Sequence, residues 1–189
     1  MTGRLIVFEG LDGGGKTTLI KKLIERNPEW FYGKAVASNN LFGRFARRHP
    51  STFTFLLDIA ILNLTETRRL VNGGKTILQD RYDFSVLSFP GVENYVNQAA
   101  VKMLSPLIRK PDGLIYVTVS NNERIRRLKL DADNPYHSYL INNPQAIIER
   151  ERRYMELYDK FSSPKTIVDT TLGSPEELAI NLEDKIKQF

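Results

Sequence analysis

The sequence predicts an α/β fold in which one five-stranded parallel sheet lies between two layers of helices. Two observations predict it. Short apolar runs alternate with segments of helical periodicity along the whole chain, and a glycine-rich loop lies between the first apolar run and the first helix. Alternating strands and helices form parallel sheets through right-handed crossovers, which place helices on both faces. No linker interrupts the alternation, so we expect a single domain over residues 1–189.

The predicted strands are apolar runs bounded by turn residues, as is typical of strands buried in a parallel sheet. They cover residues 5–8, 34–37, 76–78, 113–119 and 165–168. The predicted helices cover residues 18–26, 42–48, 52–71, 93–109, 122–130, 145–161 and 175–187. The last helix begins with Ser174 as its N-cap, Pro175 at the first helical position, and Glu176 and Glu177 in the first turn.

Composition and charge narrow the class of protein. The chain contains no cysteine, which excludes disulfides and thiolate metal sites and fits a reducing compartment. The first apolar run begins at Leu5, so we expect no signal peptide and a cytoplasmic location. Asp58 interrupts the apolar stretch at residues 53–64, so we expect no membrane span. The basic residues behind the net charge of +5 are spread along the chain, which suits a nucleotide ligand as well as nucleic acid, so charge alone does not decide the partner. We expect nucleotide partners and no nucleic acid.

A phosphate-binding loop is predicted between the first strand and the first helix. The pattern G-x-x-x-x-G-K-T runs from Gly10 to Thr17. Glycines let backbone N–H groups turn toward an anion, the ammonium of Lys16 adds charge on the terminal phosphates, and the Thr17 hydroxyl can hold Mg²⁺. A run of glycines alone would suggest a flexible turn, but the flanking strand, Lys-Thr pair and helix favour a phosphate loop. Its predicted ligand-binding residues are Gly10, Asp12, Gly13, Gly14, Gly15, Lys16, Thr17 and Thr18.

A second cluster follows the third predicted strand, at Asp80 and Arg81. Ligands in open α/β sheets bind beyond the carboxyl ends of the strands, so Asp80 would lie within reach of a magnesium ion held by Thr17. The planar fork of Arg81 matches phosphate oxygens and could bridge a donor and an acceptor phosphate. The alternative is a structural ion pair at the end of a strand.

A third cluster lies in the helix after the fourth strand, where Arg124 and Arg127 share one face and Arg126 points elsewhere. The phosphate loop contains no arginine, and phosphoryl transfer needs positive charge over the transferred group. We therefore predict a mobile lid over residues 121–143 with a turn at residues 131–135. The alternative is a solvated basic helix.

These three motifs resemble those of the thymidylate kinase family. The resemblance rests on Phe8 to Thr18, on Asp80-Arg81-Tyr82-x-x-Ser85, and on the arginine-rich segment before Asp131. The helix around residues 151–157 and the Val168-Asp169-Thr170 loop are also similar, so the likeness covers nearly the whole chain. It implies a P-loop NTPase-type three-layer sandwich, ATP and Mg²⁺ as cofactors, a nucleoside monophosphate as acceptor, and a homodimer.

The resemblance also implies roles for individual residues. Lys16 would neutralise the transferred phosphoryl group, Arg81 would hold the acceptor phosphate, and Asp80 would serve the metal. Arg124 and Arg127 would supply the charge of the lid. The remaining contacts would be Asp12 at the 3′-hydroxyl of the sugar, Phe89 at its 2′ side, Phe55 against the base, Ser85 beside Arg81, and Thr170 near the adenine.

The chain departs from the family at three places. The arginine-containing segment expected after the second strand is replaced by Ala37 to Arg44, where Arg44 could still serve the acceptor phosphate. The arginine that reads thymine is absent, and Asp58 stands near its place. A carboxylate there suits an exocyclic amine such as that of cytosine. The alternative is that Asp58 faces solvent or an interface while another residue such as Asn63 reads the base. In the lid, Ala132 stands where the family has an arginine after Asp131.

Several functions remain open at this point. The leading prediction is phosphorylation of dTMP, with dCMP or dUMP as alternative acceptors. A deoxynucleoside kinase would need a carboxylate base after the second strand, where the chain has Ser38-Asn39-Asn40 instead. A non-catalytic nucleotide-binding protein would not need Lys16, Thr17, Asp80 and Arg81 together.

Overall fold

The fold is built on one parallel sheet, and the computed structural model describes residues 3–36 and 40–189. The strands are β1 (Leu5–Glu9), β2 (Phe31–Lys34), β3 (Ile77–Asp80), β4 (Gly113–Thr118) and β5 (Lys165–Asp169). Their order across the sheet is β2-β3-β1-β4-β5, and every neighbouring pair is parallel. This confirms the predicted five-stranded parallel sheet and places the ends of β1 and β3 side by side.

Helices surround the sheet. They are α1 (Lys16–Arg26), α2 (Leu41–Arg48), α3 (Thr52–Leu62), α4 (Arg68–Asn72), α5 (Asp83–Leu87), α6 (Tyr95–Leu104), α7 (Asn121–Lys129), α8 (Pro135–Asn142), α9 (Pro144–Lys160) and α10 (Pro175–Gln188). Within the described residues, no helix is long and apolar enough to span a bilayer.

Hydrophobic cores lie on both faces of the sheet, as the prediction of three layers requires. Leu5 and Val7 of β1 point into a cluster formed with α3, α6 and α9, whereas Ile6 and Phe8 point into a cluster formed with α1 and α10. This alternation follows from the two-residue repeat of a strand, and it explains why β1 is apolar throughout. Glu9 ends the strand and is buried as well.

The largest differences from the predicted boundaries concern two elements. Strand β2 covers Phe31–Lys34 rather than residues 34–37, because it lies at the edge of the sheet and its first residues, Phe31 and Tyr32, are exposed; Ala37 lies outside the described residues. The predicted helix 52–71 is interrupted by a π-helical segment, Asn63–Thr67, between α3 and α4. The interruption coincides with the buried Asn63, whose amide nitrogen donates to the carbonyl of Ile59 at 2.8 Å.

Two short helices were not predicted. Helix α5 begins directly after the Asp80-Arg81-Tyr82 motif, and α8 lies within the predicted lid. The turn predicted at residues 131–135 ends one residue early, because Asn134 caps α8 and Pro135 occupies its first turn. Asn followed by Pro is a helix-start signal that the interpretation as a hinge overlooked.

Candidate active site

The phosphate loop joins β1 to α1 and follows the predicted pattern. Gly10, Gly13 and Gly15 have φ values of +135°, +76° and +88°, a region that side chains rarely tolerate. A Cβ atom at Gly10 would lie 2.2 Å from the carbonyl oxygen of Val117 on β4. The loop therefore packs directly against the neighbouring strand, and only glycine fits at this position.

Lys16 opens α1 and reaches back across the loop. Its Nζ donates to the carbonyl oxygens of Gly10 at 2.9 Å and Leu11 at 2.8 Å, and the side chain is buried. Burial, with a smaller effect from the nearby Arg81 charge, lowers the pKa of Lys16 to about 7. An anion bound in the loop would stabilise the protonated form of this lysine.

Thr17 and Asp80 meet where β1 and β3 end. The Thr17 hydroxyl donates to Asp80 Oδ2 at 2.5 Å, and Tyr32 of β2 donates to the same oxygen at 3.3 Å. Hydroxyl and carboxylate oxygens fit Mg²⁺, which usually takes one or two protein ligands and completes its shell with water and phosphate. The described residues contain no cluster of three acidic, histidine or cysteine ligands. The predicted metal pair, Thr17 and Asp80, is thus in contact.

Arg81 lies over the phosphate loop in a left-handed backbone conformation, with φ of +66°. Its guanidinium donates to Asp12 Oδ1 at 2.5 Å, to Ser85 Oγ at 3.1 Å and to the carbonyl of Gly10 at 3.2 Å. Burial acts to raise the pKa of the Asp12 carboxyl, but the charges of Arg81 and Lys16 hold it below its usual range. Asp12, Arg81 and Ser85, which the sequence predicts as site residues, therefore lie together.

Glu9 is a residue of this site that the sequence analysis missed. It is fully buried, and its carboxylate accepts hydrogen bonds from the backbone N–H of Tyr82 at 2.7 Å, the N–H of Ser85 at 3.0 Å and the Ser85 hydroxyl at 2.5 Å. Burial raises the pKa of Glu9 despite these bonds. The carboxylate thus links the end of β1 to the segment from Tyr82 to Ser85 by hydrogen bonds. Its position at the last residue of the strand, directly before the loop, was the only available signal.

A pocket of about 270 Å³ adjoins the phosphate loop on the side of α10. Gly15, Thr18, Arg127 and Thr170 line it, together with Leu19, Gly173, Pro175 and Leu178. Arg127 donates to Thr170 Oγ1 at 2.9 Å and to the carbonyl of Gly13 at 3.2 Å. The predicted adenine-side residue Thr170 and the predicted loop residue Thr18 therefore share one pocket, with Arg127 as a wall.

The other arginines of α7 differ in exposure. Arg124 is fully buried, pairs with Glu151 of α9 and donates to the carbonyl of Asp12 at 3.1 Å. Arg126 is exposed and pairs with Glu123, which also pairs with Arg127. Arg126 thus faces solvent, as the alternative of a solvated basic helix predicts, whereas the buried Arg124 contacts the phosphate loop at the backbone of Asp12.

Phe89 follows α5 and packs against a buried arginine that the sequence analysis also missed. The guanidinium carbon of Arg150 lies 3.9 Å from the ring centroid of Phe89. Arg150 donates to Ser88 Oγ at 3.0 Å, to the carbonyl of Ser85 at 3.3 Å and to the hydroxyl of Tyr136 on α8. This contact joins α5, α8 and α9 beside Arg81.

Lys34 is a further residue that was not predicted. It ends β2, pairs in register with Asp80, and lines the cleft formed by Lys16, Thr17, Asp80 and Arg81. It adds an exposed positive charge to the rim of the phosphate cleft.

The structure does not bring the remaining predicted contacts to the phosphate cleft. Arg44 lies exposed on α2, in a separate cleft of about 670 Å³ beside Phe42, Phe45 and Leu57. Phe55 packs half-buried against the core. Ser38 and Asn39 lie outside the described residues.

Asp58 and Asn63, the two polar residues considered for reading the base, are both fully buried. Asp58 therefore does not face solvent, contrary to one alternative. The Asn63 carbonyl accepts from the Tyr82 hydroxyl at 2.6 Å and from the Arg109 N–H at 3.0 Å. Its nitrogen also donates to the carbonyl of Ile59, so Asn63 holds α3 to Tyr82 and Arg109, and its suggested role in reading the base stays a prediction.

A phosphate loop, a hydroxyl–carboxylate pair and an arginine at adjacent strand ends define the class: this is a P-loop kinase fold. A family model described as thymidylate kinase matches residues 8–179. The chain therefore belongs to the thymidylate kinase family.

Individual relatives are similar to this chain in sequence over most of their length. The chain is 26% identical over 182 residues to a probable thymidylate kinase of Methanocaldococcus jannaschii, covering 92% of this chain and 90% of that protein. It is 24% identical over 217 residues to the thymidylate kinase of Ureaplasma parvum serovar 3, covering 99% and 91%.

Solved structures agree in fold. The thymidylate kinase of Candida albicans superposes with a TM-score of 0.72 at 20% identity, covering 99% of this chain and 92% of that one. The enzyme of Ehrlichia chaffeensis superposes with a TM-score of 0.71 at 12% identity, covering 98% and 100%.

Proposed function

We propose that this protein transfers the terminal phosphoryl group of ATP to dTMP, with Mg²⁺, and releases dTDP. The observation that carries the proposal is the meeting of Lys16, Thr17, Asp80, Arg81 and Asp12 at the shared end of β1 and β3. A protein that only binds nucleotide needs the loop and its lysine. The pair formed by Arg81 and Asp12 on the opposite side of the loop supports a second, accepting nucleotide.

The donor would occupy the loop and the pocket beside α10. Backbone N–H groups of the loop and Lys16 would hold its phosphates, and the 270 Å³ pocket lined by Thr170 and Arg127 would take the adenine. Thr17 and Asp80 would hold the magnesium ion, which neutralises charge on the phosphates. We assign Arg127 to the adenine side because its contacts are with Thr170 and Gly13.

The acceptor would lie on the side of Arg81. Its guanidinium would exchange its bond to Asp12 for the acceptor phosphate, leaving Asp12 for the 3′-hydroxyl of the sugar. Phe89, held by Arg150, would lie at the 2′ side and favour deoxyribose. A monophosphate is already ionised at neutral pH and needs no general base. Arg44 would reach the acceptor phosphate only if α2 moved toward the cleft.

We place the remaining features in the same proposal. The chain forms one domain, with residues 121–143 as a lid that closes over the phosphates. Arg124 would hold the phosphate loop during closure through its hydrogen bond to the carbonyl of Asp12. The protein would act as a homodimer in the cytoplasm, as the family resemblance implies, and its dimer would be detected by light scattering coupled to size-exclusion chromatography.

One observation favours a second acceptor. Asp58 is buried on α3, and a carboxylate near the base would accept a hydrogen bond from the amino group of cytosine. Phosphorylation of dCMP is therefore the alternative, with dUMP as a further candidate. Phe55, on the same helix, would stack on either pyrimidine.

An acceptor panel tests the proposal. Initial rates with ATP and Mg²⁺ would be measured for dTMP, dCMP, dUMP, dGMP and thymidine. We expect the highest kcat/KM with dTMP and no turnover of thymidine. Preference for dCMP would establish the alternative acceptor, and turnover of thymidine would indicate a deoxynucleoside kinase. ATP binding without turnover of any acceptor would leave only a nucleotide-binding protein.

A further inference from the structure

The α7 arginines pair with side chains away from the acceptor side of the phosphate loop, and Arg124 contacts Asp12 through its backbone carbonyl at 3.1 Å and not through its carboxylate. Arg124 pairs with Glu151 beneath the loop, Arg127 contacts Thr170 at the adenine pocket, and Arg126 pairs with Glu123 at the surface. Phosphoryl transfer nevertheless needs positive charge on both sides of the transferred group. Arg81 supplies positive charge on the acceptor side from the end of β3, so a further charge from the lid on that side would come from a residue other than these three arginines.

His137 is the lid residue that reaches this side of the loop. It lies in the first turn of α8, and its Nε2 is 4.0 Å from Asp12 Oδ1. Its Nδ1 lies 3.1 Å from the carbonyl oxygen of Asp131 and 3.2 Å from the carboxylate of the same residue. Only 15% of the side chain is exposed. Because both neighbours of Nδ1 are acceptors, Nδ1 carries a proton and Nε2 is the nitrogen that faces the loop.

Local structure fixes the imidazole in this place. The chain turns at Asp131, Asn134 caps α8 through a hydrogen bond to the N–H of Tyr136 at 3.0 Å, and the Ser138 hydroxyl donates to the carbonyl of Ala132 at 3.1 Å. The preceding residue, Tyr136, contacts Arg150 and Phe89. Successive side chains of α8 thus face the sugar side and the phosphate side of the proposed acceptor site.

We propose that His137 binds the acceptor or transferred phosphate through Nε2 and provides the lid charge on the acceptor side. This inference rests on the proposed function. In its doubly protonated form the ring donates from both nitrogens, to Asp131 at one end and to a phosphate oxygen at the other. The charged groups facing it are Asp131 and Asp12, with Arg81 behind Asp12. At 4.0 Å, His137 Nε2 is too far from Asp12 Oδ1 for a hydrogen bond. A phosphate held by Arg81 would provide the acceptor for Nε2.

Variants at the two histidines of the chain test the proposal kinetically. H137Q keeps a polar side chain but loses the charge, H137R restores a charged donor, and H49Q is the matched control at the end of α2. We expect H137Q to lower kcat/KM for dTMP by about tenfold to a hundredfold, the range of a hydrogen bond to a charged group. The KM for ATP should be unchanged, H137R should recover most of the loss, and H49Q should equal wild type.

Nitrogen NMR of the imidazoles tests contact directly. With two histidines in the chain, ¹⁵N-histidine labelling resolves both rings. Addition of dTMP with ADP and Mg²⁺ should shift the Nε2 signal of His137 and leave that of His49 in place. An unmoved His137 signal, or wild-type kinetics in H137Q, would overturn the proposal.

The proposed function can fail separately. If wild-type protein does not phosphorylate dTMP, the acceptor with the highest rate in the panel replaces it in both experiments. If no acceptor is turned over, the titration is made with the ATP analogue AMP-PNP and dTMP. A His137 signal that still does not move contradicts the assignment of this residue whatever the acceptor.

Discussion

Replacing Glu9 with alanine would remove the carboxylate that fastens the end of β1 to the segment bearing Arg81. Four hydrogen bonds end on this side chain, from the N–H groups of Tyr82 and Ser85, from the Ser85 hydroxyl and, at 3.5 Å, from the Tyr154 hydroxyl. Without Glu9, the Ser85 hydroxyl would keep a second partner, because its Oγ lies 2.9 Å from the Tyr154 hydroxyl. The two backbone N–H groups would lose their side-chain acceptor inside the protein.

The magnitude follows from those two groups. A buried donor without a partner costs about 1–3 kcal/mol, so the pair costs about 2–6 kcal/mol. Burial of the Glu9 carboxylate is itself unfavourable, as its raised pKa indicates, so removing the carboxylate offsets part of this cost. We expect E9A to lose about 3–5 kcal/mol of unfolding free energy, or about 10 °C in Tm for a chain of this size. Turnover should fall further, because Arg81 would no longer be held over the loop.

The assay is chemical denaturation of E9A, with E9Q as the matched control. Glutamine keeps Oε1 as an acceptor for both N–H groups, and the Ser85 hydroxyl can rotate to accept from the amide. E9Q should therefore lose only about 1 kcal/mol. An E9A variant within 1 kcal/mol of wild type, or E9Q as unstable as E9A, would refute the reasoning.

Three further predictions concern pH, the donor pocket and the loop. Burial and the Glu9 charge raise the pKa of Asp83 to about 7, above that of the unfolded chain. The stability that protonated Asp83 contributes is present below about pH 4 and is lost as the pH rises to about 7. In denaturant titrations, the unfolding free energy of D83N relative to wild type should therefore increase by about 2–3 kcal/mol between about pH 5 and pH 8. Parallel pH profiles for the two proteins would contradict this. R127A should raise the KM for ATP about tenfold while R126A does not, and equal effects would remove Arg127 from the adenine pocket. In G10A, the added Cβ would meet the Val117 carbonyl, so the unfolding free energy should fall by more than about 2 kcal/mol. ATP binding to this variant should no longer be detectable by calorimetry.

The sequence predicts the parts of this site that depend on local pattern or on sheet topology. The phosphate loop is contiguous, so its glycines, Lys16 and Thr17 are recognisable from spacing alone. Asp80 and Arg81 follow from the rule that strand ends meet at one edge, which the neighbouring positions of β1 and β3 confirm. Their contacts with Thr17 and Asp12 were therefore predictable.

Other parts depend on how distant segments pack. Arg150 and His137 reach the site because α8 and α9 fold back toward the loop, which no local pattern indicates. Arg124 has the same helical face as Arg127 but is buried by Glu151 of α9. Glu9 has no periodic or spacing signal, since it gains its role from amides more than seventy residues away. Strand β2 was misplaced because exposed aromatic residues at a sheet edge lack the continuous burial of central strands.

The central claim, phosphoryl transfer at the loop that contains Lys16, is tested most directly by the K16A variant. Its stability should be close to that of wild type, because burial already disfavours the charge of this lysine, as its pKa of about 7 indicates. Formation of dTDP from ATP and dTMP should fall by about a thousandfold, since Lys16 acts on charge that develops in the transition state. A folded K16A protein that forms dTDP at the wild-type rate would contradict the account.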